Sequence, residues 1–264
     1  MPQYPELQNK IALVTGGSRG LGLATATLLA QNGCKLVLAA SSSENLKNAA
    51  DHIQKHSGHT PHTHAADLKS LHACEELHQK IIADHKRCDI LINSAGDTQS
   101  GHFTQQPDET WIDGFNLKFY AAVRLSRLLW PTLAANGGKI VTFIGGYART
   151  PAPDFLIGAA VNGALANFSK GLAKLGMKDG VNVNVIHPGP TETERLTDLY
   201  EAQAAREDTT VEAIRAESVR RSGVRRLGQP ADVAELAVFL CSDAASHIQG
   251  VAVAVDGGAN PALY

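Results

Sequence analysis

The chain has 264 residues, 44% of them hydrophobic and 19% charged, with a formal net charge of −2. That is enough for one large α/β domain, and it offers no electrostatic footprint for nucleic acid or an anionic membrane. The longest apolar runs, such as residues 11–14, are far too short to span a bilayer. Residues 1–10 lack a basic stretch followed by an apolar one, so no secretory signal is expected. Cys34, Cys74, Cys88 and Cys241 are scattered without a C-x-x-C pair, which predicts free thiols in a reducing cytoplasm.

Short β-rich runs at 11–14, 35–40, 89–92, 139–144, 181–186 and 251–255 alternate with helical stretches. The alternation predicts a single α/β domain over residues 1–264, a Rossmann fold with a doubly wound parallel sheet of about seven strands. The run at 11–14 has no polar interruption, as a central strand buried on both sides requires. The charge-rich segment 191–229 breaks the pattern and reads as a helical excursion on the substrate side, either a lid or a solvated helical pair.

After the first strand comes Gly16-Gly17-Ser18-Arg19-Gly20-Leu21-Gly22, opening an Ala/Leu-rich helix. A glycine-rich turn between strand and helix lets backbone N–H groups approach a pyrophosphate at the helix N-terminus. The second strand ends in Ala39-Ala40, followed by Ser41, Ser42 and Ser43, with no acidic residue before Glu44 to hold a ribose 2′-hydroxyl. Arg19 with Ser41 and Ser42 suits a 2′-phosphate, which favours NADP(H) over NAD(H). On the opposing reading Arg19 is solvated and the serines cap the next helix.

These residues resemble the short-chain dehydrogenase/reductase family, and the resemblance runs through nearly the whole chain. It implies that Asp67 and Leu68 border the adenine, and that Asn93-Ser94-Ala95-Gly96 stands where the family has Asn-Asn-Ala-Gly. It also implies that Asn116 belongs to a proton relay and that Pro188, Gly189, Thr191 and Thr193 hold the nicotinamide carboxamide. The stretches Arg226–Ala234 and Val255–Gly258 match its C-terminal signature.

The family's chemistry uses a Tyr to move the proton, a Lys four residues later to lower the Tyr pKa, and a Ser to polarise the carbonyl. A neighbouring cation is needed because an unperturbed phenol titrates near about 10. Here Gly145 stands at the Ser, Gly158 at the Tyr and Asn162 at the Lys. No re-registering repairs the motif: Tyr4, Tyr120, Tyr147 and Tyr200 are followed four residues on by Gln8, Arg124, Pro151 and Ala204, and Tyr264 is terminal. The wider spacing of enoyl reductases fails too, since Asp154 stands seven residues after Tyr147.

Substitute donors are Tyr147 beyond the strand, His187 before the Pro-Gly turn, and Asp154 or Arg149 on the intervening loop. Asn116, Tyr120 and Arg124 share one face of a regular helix by spacing. Eight histidines crowd between His52 and His85, yet they lack a partner set and no metal site is expected. Arg220, Arg221, Arg225 and Arg226 read as a solvated basic helix end, with an acidic substrate as the alternative.

Three readings stay open. One is an NADP(H)-binding oxidoreductase of a small-molecule carbonyl or hydroxyl substrate with a non-standard proton donor. The others are a lyase or isomerase using the remodelled pocket, and a catalytically inactive binding or partner subunit. The resemblance further implies a homodimer or homotetramer packed through helices around 104–130 and 157–176.

Overall fold

The structure, a computed structural model, describes residues 3–262. Seven strands form one parallel sheet: β1 Ile11–Thr15, β2 Lys35–Ala40, β3 His62–Ala65, β4 Ile90–Asn93, β5 Lys139–Phe143, β6 Asn182–Pro188 and β7 Ala252–Val255. Their order is β3-β2-β1-β4-β5-β6-β7. β1, β4 and β5 are buried at every position, so their sequences carry no alternation.

β3 is the strand that strand-like patterning misses. It sits at the sheet edge, pairs only with β2, and its His-Thr-His-Ala side chains are largely exposed. The run read at 89–92 begins one residue later, because Asp89 turns its carboxylate back to accept the Ile11 N–H at 2.8 Å. The run read at 181–186 continues to Pro188, paired with β7.

Helices α1 Gly20–Gln31, α2 Ser43–Ser57 and α9 Pro230–Cys241 cover one face of the sheet. α3 Leu71–His85, α5 Ala121–Ala135 and α6 Leu156–Asp179 cover the other. Ser42 and Ser70 cap α2 and α3 with their hydroxyls, and left-handed Gly58 and Gly180 end α2 and α6. The short α4 Asp108–Gly114 runs straight into α5 through a single π-helical stretch, Phe115–Tyr120. Within 191–229 stand α7 Glu194–Glu207 and α8 Val211–Ser222, which share a small core of Tyr200, Ala204, Ile214 and Leu227. No described helix is long and apolar enough to cross a membrane. All four cysteines are free and buried.

Candidate active site

Strand order reverses between β1 and β4, and their carboxyl ends open a crevice there. Thr15 staples its two walls: its hydroxyl accepts the Ser94 and Ala95 N–H groups, both at 3.1 Å, and donates to the Ile92 carbonyl. Gly16 has a φ of +63°, and a Cβ there would stand 2.9 Å from the Ala95 backbone, so only glycine closes this turn. α1 starts at Gly20 with no side-chain cap and no acidic residue in its first turn. Its leading N–H groups and dipole are therefore left facing the crevice, as an anion requires.

Around that crevice, Arg19 and Ser41 are exposed. Ser42 caps α2, accepting the Asn45 N–H at 3.2 Å, which leaves its own O–H free to donate. Asp67 accepts the Lys69 N–H at 3.1 Å, and Leu68 beside it is buried. Asn93 is buried and donates to Thr142 Oγ1, while its own Oδ1 has no partner. On the far wall, Gly189 donates its N–H to the Val255 carbonyl at 3.0 Å, and Thr191 donates to the Gly189 carbonyl at 2.9 Å. Thr193 caps α7, accepting the Leu196 N–H at 3.3 Å, which leaves its own O–H free to donate. Its methyl group lies 3.5 Å from where a Gly20 Cβ would stand, so the glycine loop and the Pro-Gly turn meet across the crevice.

Gly145 and Gly158 both face filled space, and Gly145 lies against Asn162. A Cβ on Gly145 would stand 3.0 Å from Asn162 Nδ2, and a Cβ on Gly158 would fall inside the Phe155 ring. Phe155 thus fills the space that any side chain at position 158 would take. Tyr147 packs on that ring with centroids 5.0 Å apart and is itself half exposed. Asn162 is buried, and its Oδ1 has no partner.

The remaining sequence candidates are placed as follows. His187 is buried, and its Nδ1 lies 2.6 Å from the Ile144 carbonyl, so Nδ1 carries the ring proton. Burial lowers its pKa, and the neutral ring offers only an acceptor at Nε2. Arg149 donates to the Ala252 carbonyl at 2.8 Å and is tied to β7. Asp154 is exposed, and its carbonyl accepts the Gly101 N–H. Asn116 lies in the π-helical stretch, where its carbonyl accepts from Ala121, five residues on. The regular face drawn through Asn116, Tyr120 and Arg124 is therefore broken by an extra residue. Tyr120 and Arg124 pair on the outside, guanidinium over ring at 5.3 Å, and Arg124 also donates to the Lys69 carbonyl. Arg226 is held by Asp232 at 2.7 and 3.0 Å and Arg220 by Glu217, so neither is a free cation. His52 and His56 stack on α2, and no group of three ligating side chains that could hold a metal occurs among the described residues.

Two site residues escaped sequence reasoning. Phe155 carries no motif; only the glycine three residues on hinted that something must fill a gap. Lys118 belongs to no motif singled out in the sequence; in the structure it lies in the π-helical stretch with its stem on Gly96. Burial pushes its ammonium down to about 8, helped by the Arg195 charge and opposed by Asp97. Arg195, from the first turn of α7, reaches Asp97 at 2.8 Å and the Thr98 carbonyl at 3.3 Å.

Comparison with known proteins agrees with this geometry. Residues 16–260 match a family model described as enoyl-(acyl carrier protein) reductase. An uncharacterised oxidoreductase of Mycobacterium tuberculosis is 32% identical over 254 residues, 96% of this chain and 92% of that protein. The 3-oxoacyl-[acyl-carrier-protein] reductase FabG of Salmonella typhimurium is 31% identical over 255 residues, 95% of this chain and 97% of the relative. Among solved structures, L-sorbose reductase from Gluconobacter frateurii, complexed with NADPH and L-sorbose, superposes with a TM-score of 0.93 at 30% identity. That match covers 97% of this chain and 98% of the other. With the strand order, the glycine turn and the Pro-Gly wall in place, the chain belongs to the short-chain dehydrogenase/reductase family.

Proposed function

We propose that the protein is an NADP(H)-dependent oxidoreductase of a small carbonyl or hydroxyl compound, with a proton-transfer end unlike that of its relatives. The observation that carries this reading is the crevice itself. Thr15 joins the glycine turn to Ser94 and Ala95, and Thr193 closes on Gly20 from the opposite wall. The uncapped start of α1 offers N–H groups that a nucleotide phosphate would satisfy. Bound there, NADPH would supply a hydride. Arg19 and Ser41 would face its 2′-phosphate, Asp67 and Leu68 its adenine, and Thr191 and Thr193 its carboxamide. Asn93, Ala95 and Gly96 would form the floor. The helical pair of segment 191–229 would act as a lid, with Arg195 reaching Asp97 and Thr98 across the opening.

Fluorescence titration with NADPH and NADH tests the cofactor assignment. NADPH is expected to bind more tightly, and Arg19→Ala to weaken it about tenfold or more while sparing NADH, as loss of a charge-assisted contact does. Equal binding of both nucleotides, or of neither, would overturn the assignment.

A second reading is favoured by one observation: Phe155 occupies the space that any side chain at position 158 would take. On that reading the protein binds nucleotide without turnover and serves as a partner subunit. NADPH binding with no oxidation across a panel of ketones and aldehydes would establish it over the first.

We also propose a homodimer or homotetramer through α5 and α6. Ala160 is exposed, and a Cβ on Gly163 or Gly171 would meet nothing within 4 Å, which leaves room for a second helix. The four buried, unpaired thiols suit a reducing cytoplasm.

A further inference from the structure

We propose that Lys118 donates the proton to the carbonyl oxygen of the substrate, in place of the absent tyrosine. This rests on the reductase reading above. Lys118 is two residues past Asn116 within the π-helical stretch Phe115–Tyr120, and its side chain lies along the loop after β4. A Cβ on Gly96 would stand 2.8 Å from its Cδ and 2.9 Å from its Cγ, so the stem rests directly on the crevice floor.

The titratable groups around it come from three elements: Asp97 on the loop after β4, Arg195 at the start of α7, and the neutral His187 at the end of β6, whose titration feels the Lys118 charge. Those elements border the crevice where Gly145, Gly158 and Asn162 leave no acid. Asp97 is engaged by Arg195 at 2.8 Å, and Lys118 Nζ has no hydrogen-bond partner among the described residues. The Lys118 side chain as a whole is partly buried rather than sealed from solvent. The site has thus lost the cation of α6 and gained one from the opposite helix.

The chemistry balances. A hydride from a reduced nicotinamide forms the new C–H bond at the carbonyl carbon, and the carbonyl π pair moves to oxygen. That oxygen takes a proton from the Lys118 ammonium: the N–H bond breaks, the O–H bond forms, and the neutral amine regains a proton from solvent. A buried ammonium with a lowered pKa is the right acid for this, because it gives up its proton more readily than a surface lysine at neutral pH.

The test combines competitive acetylation, read peptide by peptide by mass spectrometry across pH, with kinetics of Lys118→Met and Lys118→Arg. The Lys118 midpoint is expected near 8, below the usual lysine range, and NADPH should protect it. Lys118→Met should lower NADPH-dependent reduction by about 10²–10⁴-fold, with nucleotide affinity changed far less. Lys118→Arg keeps the charge and should move the basic limb of the pH–rate profile upward. An ordinary Lys118 midpoint, or unchanged turnover in Lys118→Met, overturns this proposal alone. Nucleotide binding without turnover in the native protein overturns it together with the reductase reading.

Discussion

A side chain added at Gly158 has to displace the Phe155 ring, and one added at Gly145 presses on Asn162. Overpacking of this kind costs about 1–3 kcal/mol, so Gly158→Tyr alone should lower the melting temperature without adding activity. Restoring Gly145→Ser, Gly158→Tyr and Asn162→Lys together should remain ineffective until Phe155→Ala clears the space. The quadruple variant should then exceed the triple by at least about tenfold in carbonyl reduction, a modest part of what a positioned acid contributes. Steady-state assays on the two variants decide the matter. At this scale the spacing in sequence singles out Gly145, Gly158 and Asn162, and the structure sets Gly145 against the Asn162 side chain. What fills the gap was not legible. Phe155 and Lys118 act through where their side chains point, and no periodicity encodes that. The histidines near α2 and α3 show the converse: a conspicuous cluster in sequence, divided between two helices and an edge strand in space.

Most elements follow from local chemistry, and the exceptions have physical causes. β3 is short and exposed at the sheet edge, so it needs no hydrophobic pattern. The π stretch is invisible to helical periodicity, since the residues on either side of it are ordinary helix formers. α7 offers an element-scale prediction. Thr193 caps it and also touches the glycine loop, so Thr193→Ala should cost about 1 kcal/mol of stability. Thr193→Ser keeps the capping oxygen and should recover that stability. If Thr193 also serves the cofactor, the alanine variant should show a raised NADPH dissociation constant by calorimetry, and a capping role alone would not move it.

For the molecule as a whole, the alternation of strands and helices already implied a parallel sheet wound in both directions. The order β3-β2-β1-β4-β5-β6-β7 then determines where the crevice opens. The cysteines are distributed through this body rather than at its surface. Burial pushes the Cys34 and Cys88 thiols up to about 12 and raises those of Cys74 and Cys241. At pH 8 the folded protein should therefore react with none of its four thiols, and denaturant should release all four to a thiol reagent. Light scattering should give a mass that is twice or four times the 28.0 kDa chain. Gly163→Trp, placed where α6 is open, should shift it toward a monomer.

The π turn sets a phase difference between the two halves of one long helix. Each residue advances an α-helix by about 100°, so the extra residue lets α4 and α5 orient their faces independently. α5 can keep Leu125, Leu129 and Leu133 in the core while the stretch before it turns Lys118 toward the crevice. Deleting one residue between 115 and 120 would restore a uniform helix and rotate everything on one side of the cut. Secondary structure would barely change, yet the lysine would swing off the floor of the crevice. The helix therefore behaves as an angular setting, in which one inserted residue decides what the crevice is shown.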